Sequence, residues 1–136
     1  MRVIALCGSS NVGKTETLKD LIQRFYAQGA QQVCPPVNNQ KDVVEVLLYR
    51  HQGKTDKICV STAGDDVQSV QNGYAIAKQN SCDIFISASR MRSDCGSLKF
   101  IRALRPYPIL LGAYEELPAD WSIALNARID AILRCL

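Results

Sequence analysis

Several things are scarce in this chain, and each shortage removes a class of function. Histidine occurs once, at His51, and no two of the six cysteines stand as a C-x-x-C pair. A zinc site built on such pairs is therefore not expected. No apolar run approaches the roughly 20 residues that span a bilayer, so no membrane association is expected. Net charge is only +3, too small for a strong nucleic-acid signature. Arg90, Arg92, Lys99, Arg102 and Arg105 do cluster locally, and that cluster reads equally as a phosphate-binding face or a solvated one. Repeats, low-complexity segments and linkers are missing, so the 136 residues read as one domain over 1–136. The opening residues lack a secretory layout, because a strand begins at once. Cys7, Cys59 and Cys82 lie in or beside apolar runs, where cysteine acts as a small hydrophobe. Reduced thiols and a cytoplasmic location are the expectation, with Cys34 and Cys95 in loops as the cysteines open to redox chemistry.

What is present is concentrated near the start. Gly8-Ser9-Ser10-Asn11-Val12-Gly13-Lys14-Thr15 fits the phosphate-binding pattern G-x-x-x-x-G-K-[ST] in full. Before it, Arg2–Cys7 carries the apolar run Val3-Ile4-Ala5-Leu6, a buried-strand signal. After it, Lys14–Tyr26 places Leu18, Leu21, Ile22 and Phe25 on one helical face. A glycine loop between a strand and a helix is the context that the motif's chemistry demands. Gly8 and Gly13 let the backbone curl at little cost. The curl turns amide hydrogens inward as a nest for anionic oxygens, and the helix adds its positive end. Lys14 can bridge β- and γ-phosphate oxygens, and the Thr15 hydroxyl can ligate magnesium.

The rest of the chain reads as strands alternating with helices. Gly29–Lys41 is a long polar loop, a length that usually signals function or disorder. Val43–Tyr49 is strand two and Lys57–Thr62 strand three. Their link is about half the dozen residues that a parallel crossover needs, so they should pair as an antiparallel hairpin. A helix over Asp65–Gln79, strand four over Cys82–Ala88, a short helix over Ser97–Leu104, strand five over Pro108–Gly112 and a closing helix over Ala119–Leu136 follow. The order β-α-β-β-α-β-α-β-α predicts a three-layer α/β/α sandwich on a five-stranded, mostly parallel sheet with strand two antiparallel.

Ligands in such sheets bind at the carboxyl ends of the strands. The end of strand three reads Val60-Ser61-Thr62-Ala63-Gly64-Asp65-Asp66. Asp65 and Asp66 are candidates for holding magnesium, Asp65 first, and Gly64 could offer its N–H to a γ-phosphate. Equally, either aspartate could cap the next helix. The end of strand four carries Arg90 and Arg92, spaced to meet phosphate oxygens.

These residues resemble the P-loop nucleoside triphosphatase superfamily, through the motif Gly8–Thr15 and an element order that covers nearly the whole chain. Within it, the hairpin resembles the Ras-like GTPase core, and Val60–Asp66 looks like the switch II stretch of those proteins. The departures are specific. Ser61 replaces the aspartate of D-x-x-G, and Asp65 stands where a water-orienting glutamine is often found. Gly112-Ala113-Tyr114-Glu115-Glu116 stands where the guanine-reading N-K-x-D should be, and no threonine lies between Thr17 and Thr55. The arginine loop is similar in flavour to the lids of small nucleotide kinases.

The resemblance implies a magnesium-dependent nucleoside triphosphate binder, for ATP rather than GTP, with slow hydrolysis. Lys14, Asp65, Arg90 and Arg92 would serve catalysis. Gly8, Ser9, Ser10, Asn11, Val12, Gly13, Lys14, Thr15, Thr17 and Gly64 would hold the nucleotide, and Thr15, Asp65 and Asp66 the Mg²⁺. Two alternatives stay open. One is a small nucleotide or nucleoside kinase that uses Gln31–Lys41 as an acceptor wall with Asp42 or Glu45 as base. The other is a non-catalytic, nucleotide-gated switch or scaffold. A short domain with sparse catalytic equipment also suits work beside a protein partner.

Overall fold

A computed structural model of the chain describes residues 1–8, 13–39, 41–90, 96–110 and 121–136. Seven strands and four helices lie within them: β1 (Arg2–Cys7), α1 (Lys14–Ala27), β2 (Gln31–Gln32), β3 (Val37–Asn39), β4 (Asp42–His51), β5 (Lys54–Ser61), α2 (Val67–Gln79), β6 (Ile84–Ser89), α3 (Gly96–Ala103), β7 (Tyr107–Leu110) and α4 (Trp121–Arg134). The strands form one mixed sheet in the order β2-β4-β5-β6-β1-β7, with β3 also pairing β4.

Strand β1 sits between β6 and β7, both parallel to it, and β5 pairs β6 in parallel. The remaining three pairings, β4 with β5, β2 and β3, are antiparallel. The expected hairpin is present: β4 and β5 run from Val44↔Ser61 to His51↔Lys54. Its turn uses Gln52 and Gly53, both at positive φ, the backbone that a two-residue hairpin demands.

The sheet corrects the expectation of five mostly parallel strands. The extra two lie inside the expected loop Gly29–Lys41, where Gln31–Gln32 and Val37–Asn39 pair along the outer border of β4. Neither has an alternating apolar pattern. They are strands because a ten-residue neighbour presents unpaired backbone groups, and a buried or half-buried amide row is costly to leave open.

Alternation along each strand divides the core in two. Ile4 and Leu6 face α1 and α4, packing with Leu18, Leu21, Ile22, Phe25, Ile129 and Ile132. Val3, Ala5 and Cys7 face the other way, towards Val70 and Ala77 of α2 and Ile101 of α3. The expected faces of α1 and α3 are buried, apart from Leu104, which lies past the end of α3 and is half-buried. In α2, Val70 and Ala77 are buried, and Val67 and Tyr74 are half-buried. Cys7, Cys59 and Cys82 lie within the second core as unbridged thiols. Among the described residues no helix is long and apolar enough to cross a membrane.

Candidate functional site

Strand β1 delivers Gly8, the first residue of the glycine motif, to the carboxyl edge of the sheet. The Gly8 N–H donates to the Ser89 carbonyl (3.1 Å), so the ladder with β6 runs to the last residue before the loop. Ser9, Ser10, Asn11 and Val12 lie outside the described residues. Gly13 follows at φ 80°, left-handed, and is the N-cap residue of α1. A β-carbon would be strained there, and with no side chain Gly13 offers α1 no cap.

Lys14 is buried at the first turn, and its Nζ donates to the Gly8 carbonyl at 3.0 Å. The ammonium thus lies beside the end of β1. Burial lowers its pKa from 10.5; Asp65 nearby pushes it up again, while Arg90 adds to the lowering. A buried ammonium at a helix N-terminus is stabilised in its charged form by a nearby anion.

Thr15 and Thr17 play different parts. Thr15 is half-buried and lines a polar cleft of about 410 Å³ together with Gly13, Lys14, Glu16, Lys41, Asp65 and Arg90. Thr17 is buried, and its Oγ1 donates to the Gly13 carbonyl (2.7 Å) while accepting from Nη1 of the buried Arg128 of α4 (3.4 Å). Thr17 therefore ties the N-cap Gly13 to α4 and does not border the cleft. Arg128 escapes sequence reasoning because only the docking of α4 brings it near; Glu16 and Lys41 are equally unmarked by any motif.

Strand order complicates the end of β5. Strand β6 lies between β5 and β1, so the end of β5 is roughly 10 Å from the glycine loop at about 4.8 Å per strand. The connection has to cross β6, and Gly64 permits it. An added β-carbon at Gly64 would lie 2.5 Å from the Ala88 carbonyl carbon and 2.6 Å from its oxygen. Gly64 is buried on β6 and is not among the residues that line the cleft. The crossing brings Asp65 to the cleft, where its Oδ1 accepts from Nε of Arg90 at 3.2 Å, both side chains partly exposed. Arg92 lies outside the described residues.

Asp66 takes the other role open to it. It is the N-cap of α2: Oδ1 accepts from the Ser69 N–H (2.8 Å) and Oδ2 from the Ser69 hydroxyl (2.9 Å). Both oxygens are engaged, and Asp66 does not border the cleft. Ser61 is fully buried, with its Oγ so close to Gly73 of α2 that a β-carbon on that glycine would lie 2.7 Å away. Its side chain meets the helix layer, a packing site rather than a metal site. Among the described residues no group of three or more His, Cys, Asp or Glu side chains could hold a metal ion. Burial pushes the Cys7 thiol up despite the nearby Lys14, which leaves it protonated and a poor nucleophile.

A second cavity, of about 590 Å³, adjoins the cleft along the flank of α1 and shares Glu16 and Lys41 with it. Asp42 and Glu45 both line it, as does Pro36 from the expected acceptor wall. Asp42 Oδ1 accepts from the Thr62 hydroxyl (3.0 Å), which in turn accepts from the Val43 N–H (3.0 Å), so the end of β5 and the start of β4 are tied.

No protein-family model matches this chain, and no curated protein or solved structure is significantly similar to it.

Proposed function

We propose that this protein binds a magnesium nucleoside triphosphate, ATP in preference to GTP, at the Gly8–Thr15 loop and hydrolyses it slowly, as a P-loop domain with helices on both sides of its sheet. The observation that carries the reading is the buried Lys14 ammonium at the first turn of α1, beside the left-handed Gly13, facing a polar cleft. Glycine-loop amides and the helix end would grip the β- and γ-phosphates. Lys14 would leave the Gly8 carbonyl for a phosphate oxygen, exchanging a neutral acceptor for a charged one. Arg90, 30% exposed and tethered by Asp65, would neutralise charge on the transferring group. Magnesium, when bound, supplies charge shielding of the phosphates. Thr15 and Asp65 are the cleft residues suited to holding it, and phosphate and water oxygens would complete the shell. Asp66, with both oxygens engaged, is not part of that set.

Calorimetry with MgATP tests the reading. The Lys14→Ala variant is expected to weaken binding by about 100-fold or more, about 2.8 kcal/mol. Unaltered affinity would refute it. The adjoining cavity favours a second reading, phosphoryl transfer to a small acceptor held beside the γ-phosphate. Labelled ATP separates the outcomes. Free phosphate marks hydrolysis, a labelled small molecule marks transfer, and tight binding without turnover marks a nucleotide-gated switch working with a partner.

A further inference from the structure

We infer that the 590 Å³ cavity beside α1 is a binding site for a small organic cation that also carries hydroxyl groups, such as an amino sugar or aminocyclitol. The inference rests on the nucleotide reading only for what lies next door, a phosphoryl group; the binding itself does not depend on it.

Glu45 is the deciding residue. It lies on the face of β4 that also presents Val43, Leu47 and Tyr49 to the α1 core. An acid interrupts an apolar stripe there. Glu45 is 8% exposed, and one carboxylate oxygen accepts from the Tyr26 hydroxyl. Burial and the Glu45 contact both hold the Tyr26 phenol above its ordinary pKa, so it remains a neutral donor. No cationic side chain among the described residues pairs with Glu45. A buried carboxylate with only a neutral partner is unfavourable, and such local inconsistency marks functional positions. Glu45 borders the cavity, so a cation there would supply the missing charge.

The remaining walls agree. Glu16, Asp20 and Asp42 join Glu45 against only Lys19 and Lys41, four negative side chains to two positive. None of these is ion-paired to another. No three of the acids form a metal-holding group, and Gln23 and Asn38 add neutral hydrogen-bonding side chains to the lining. An organic cation with hydroxyl groups suits that lining better than a bare ion does. Ile22, Val43 and Leu125 add apolar surface to the lining for a carbon frame, and the volume is that of ordinary small-molecule sites, about 300–1,000 Å³.

Calorimetry on the intact chain decides the matter, using 2-deoxystreptamine and glucosamine as probes against the neutral counterparts myo-inositol and glucose. At least one amine is expected to bind about tenfold or more tightly than its counterpart, the scale of a desolvated charge pair. Glu45→Gln is expected to abolish that preference and leave MgATP affinity unchanged. Asp20→Asn, at a half-exposed position, is expected to weaken amine binding about threefold and serves if Glu45→Gln unfolds. Amines binding no better than their counterparts would overturn the proposal. So would amine affinity unchanged in both variants, or MgATP affinity that falls with Glu45→Gln, which would make the cavity part of the nucleotide site. MgATP silent with amine binding intact would instead sink the nucleotide reading alone.

Discussion

Two helices begin at the same edge of the sheet, one after β1 and one after β5, and their first turns are finished in opposite ways. α1 starts from a left-handed glycine that brings no side chain to its amides. α2 starts from Asp66, whose carboxylate takes the Ser69 amide and hydroxyl. The first borders a polar cleft with Lys14 and Arg90; the second does not. A cap satisfies the orphan amides of a helix and thereby withdraws them from any ligand. Position at a strand's carboxyl end thus does not fix how a helix is finished. The residue before the first turn does, leaving the α1 amides without a side-chain cap and giving α2 one.

The contrast can be broken experimentally. Its largest expected effect is at Ser61, on the closed side. Ser61→Asp would bury an unpaired carboxylate against Gly73, costing about 3–5 kcal/mol, read by urea unfolding. A stable variant with altered magnesium dependence would mean that the β5 end is a metal site after all. Gly64→Ala comes next: its β-carbon would press on the Ala88 backbone, costing about 1–3 kcal/mol. It should also weaken MgATP binding by displacing Asp65, and a loss of stability alone would separate that crossing from the cleft. Asp66→Ala should cost about 1 kcal/mol and leave MgATP affinity unchanged; a parallel loss of affinity would give Asp66 a role in the site.

The smallest effect is that of pH. Burial lowers the Lys14 pKa from 10.5, so its ammonium is lost earlier than that of an exposed lysine as pH rises. MgATP affinity should therefore begin to decline at that lowered value and go on declining through 10.5, because a phosphate partner raises the Lys14 pKa in the complex, and Lys14→Ala should abolish the decline. The contribution to folding has the opposite sign. In that window the unfolded chain binds more protons than the native one, so Lys14's burial weighs least on stability at high pH. Titration calorimetry and unfolding across the window measure both.

The sequence declared its strongly patterned parts. Strand β1 and the buried face of α1 follow from unbroken apolar spacing, and the β4–β5 hairpin follows from the length of its link. The start of α1 at Lys14 after a left-handed Gly13 was legible because that backbone favours glycine. Less legible was whatever depends on neighbours distant in the chain. β2 and β3 form because β4 has a vacant border. The placing of β6 between β5 and β1 is what turns Gly64 from a ligand contact into a crossing residue. Asp65 and Asp66 are chemically identical side by side, and only the start of α2 distinguishes the one that caps from the one that meets Arg90. Glu45 is plain in the sequence as an acid, but that it interrupts an apolar stripe shows only once Val43 and Leu47 are seen to share its face.

The outer border of β4 has a consequence for how this chain behaves in company. Gln31–Gln32 occupies it opposite Leu47–Leu48, Val37–Asn39 occupies it opposite Asp42–Val44, and the Val33 N–H takes the Val46 carbonyl in between. The two segments are joined through Pro35 and Pro36, which have no amide hydrogen to offer a newcomer. A second molecule that approaches this rim in search of a strand to extend finds its hydrogen-bonding groups taken over most of its length. The polar loop therefore acts as an insulating hem, which keeps a long hydrophobic strand from seeding intermolecular sheets.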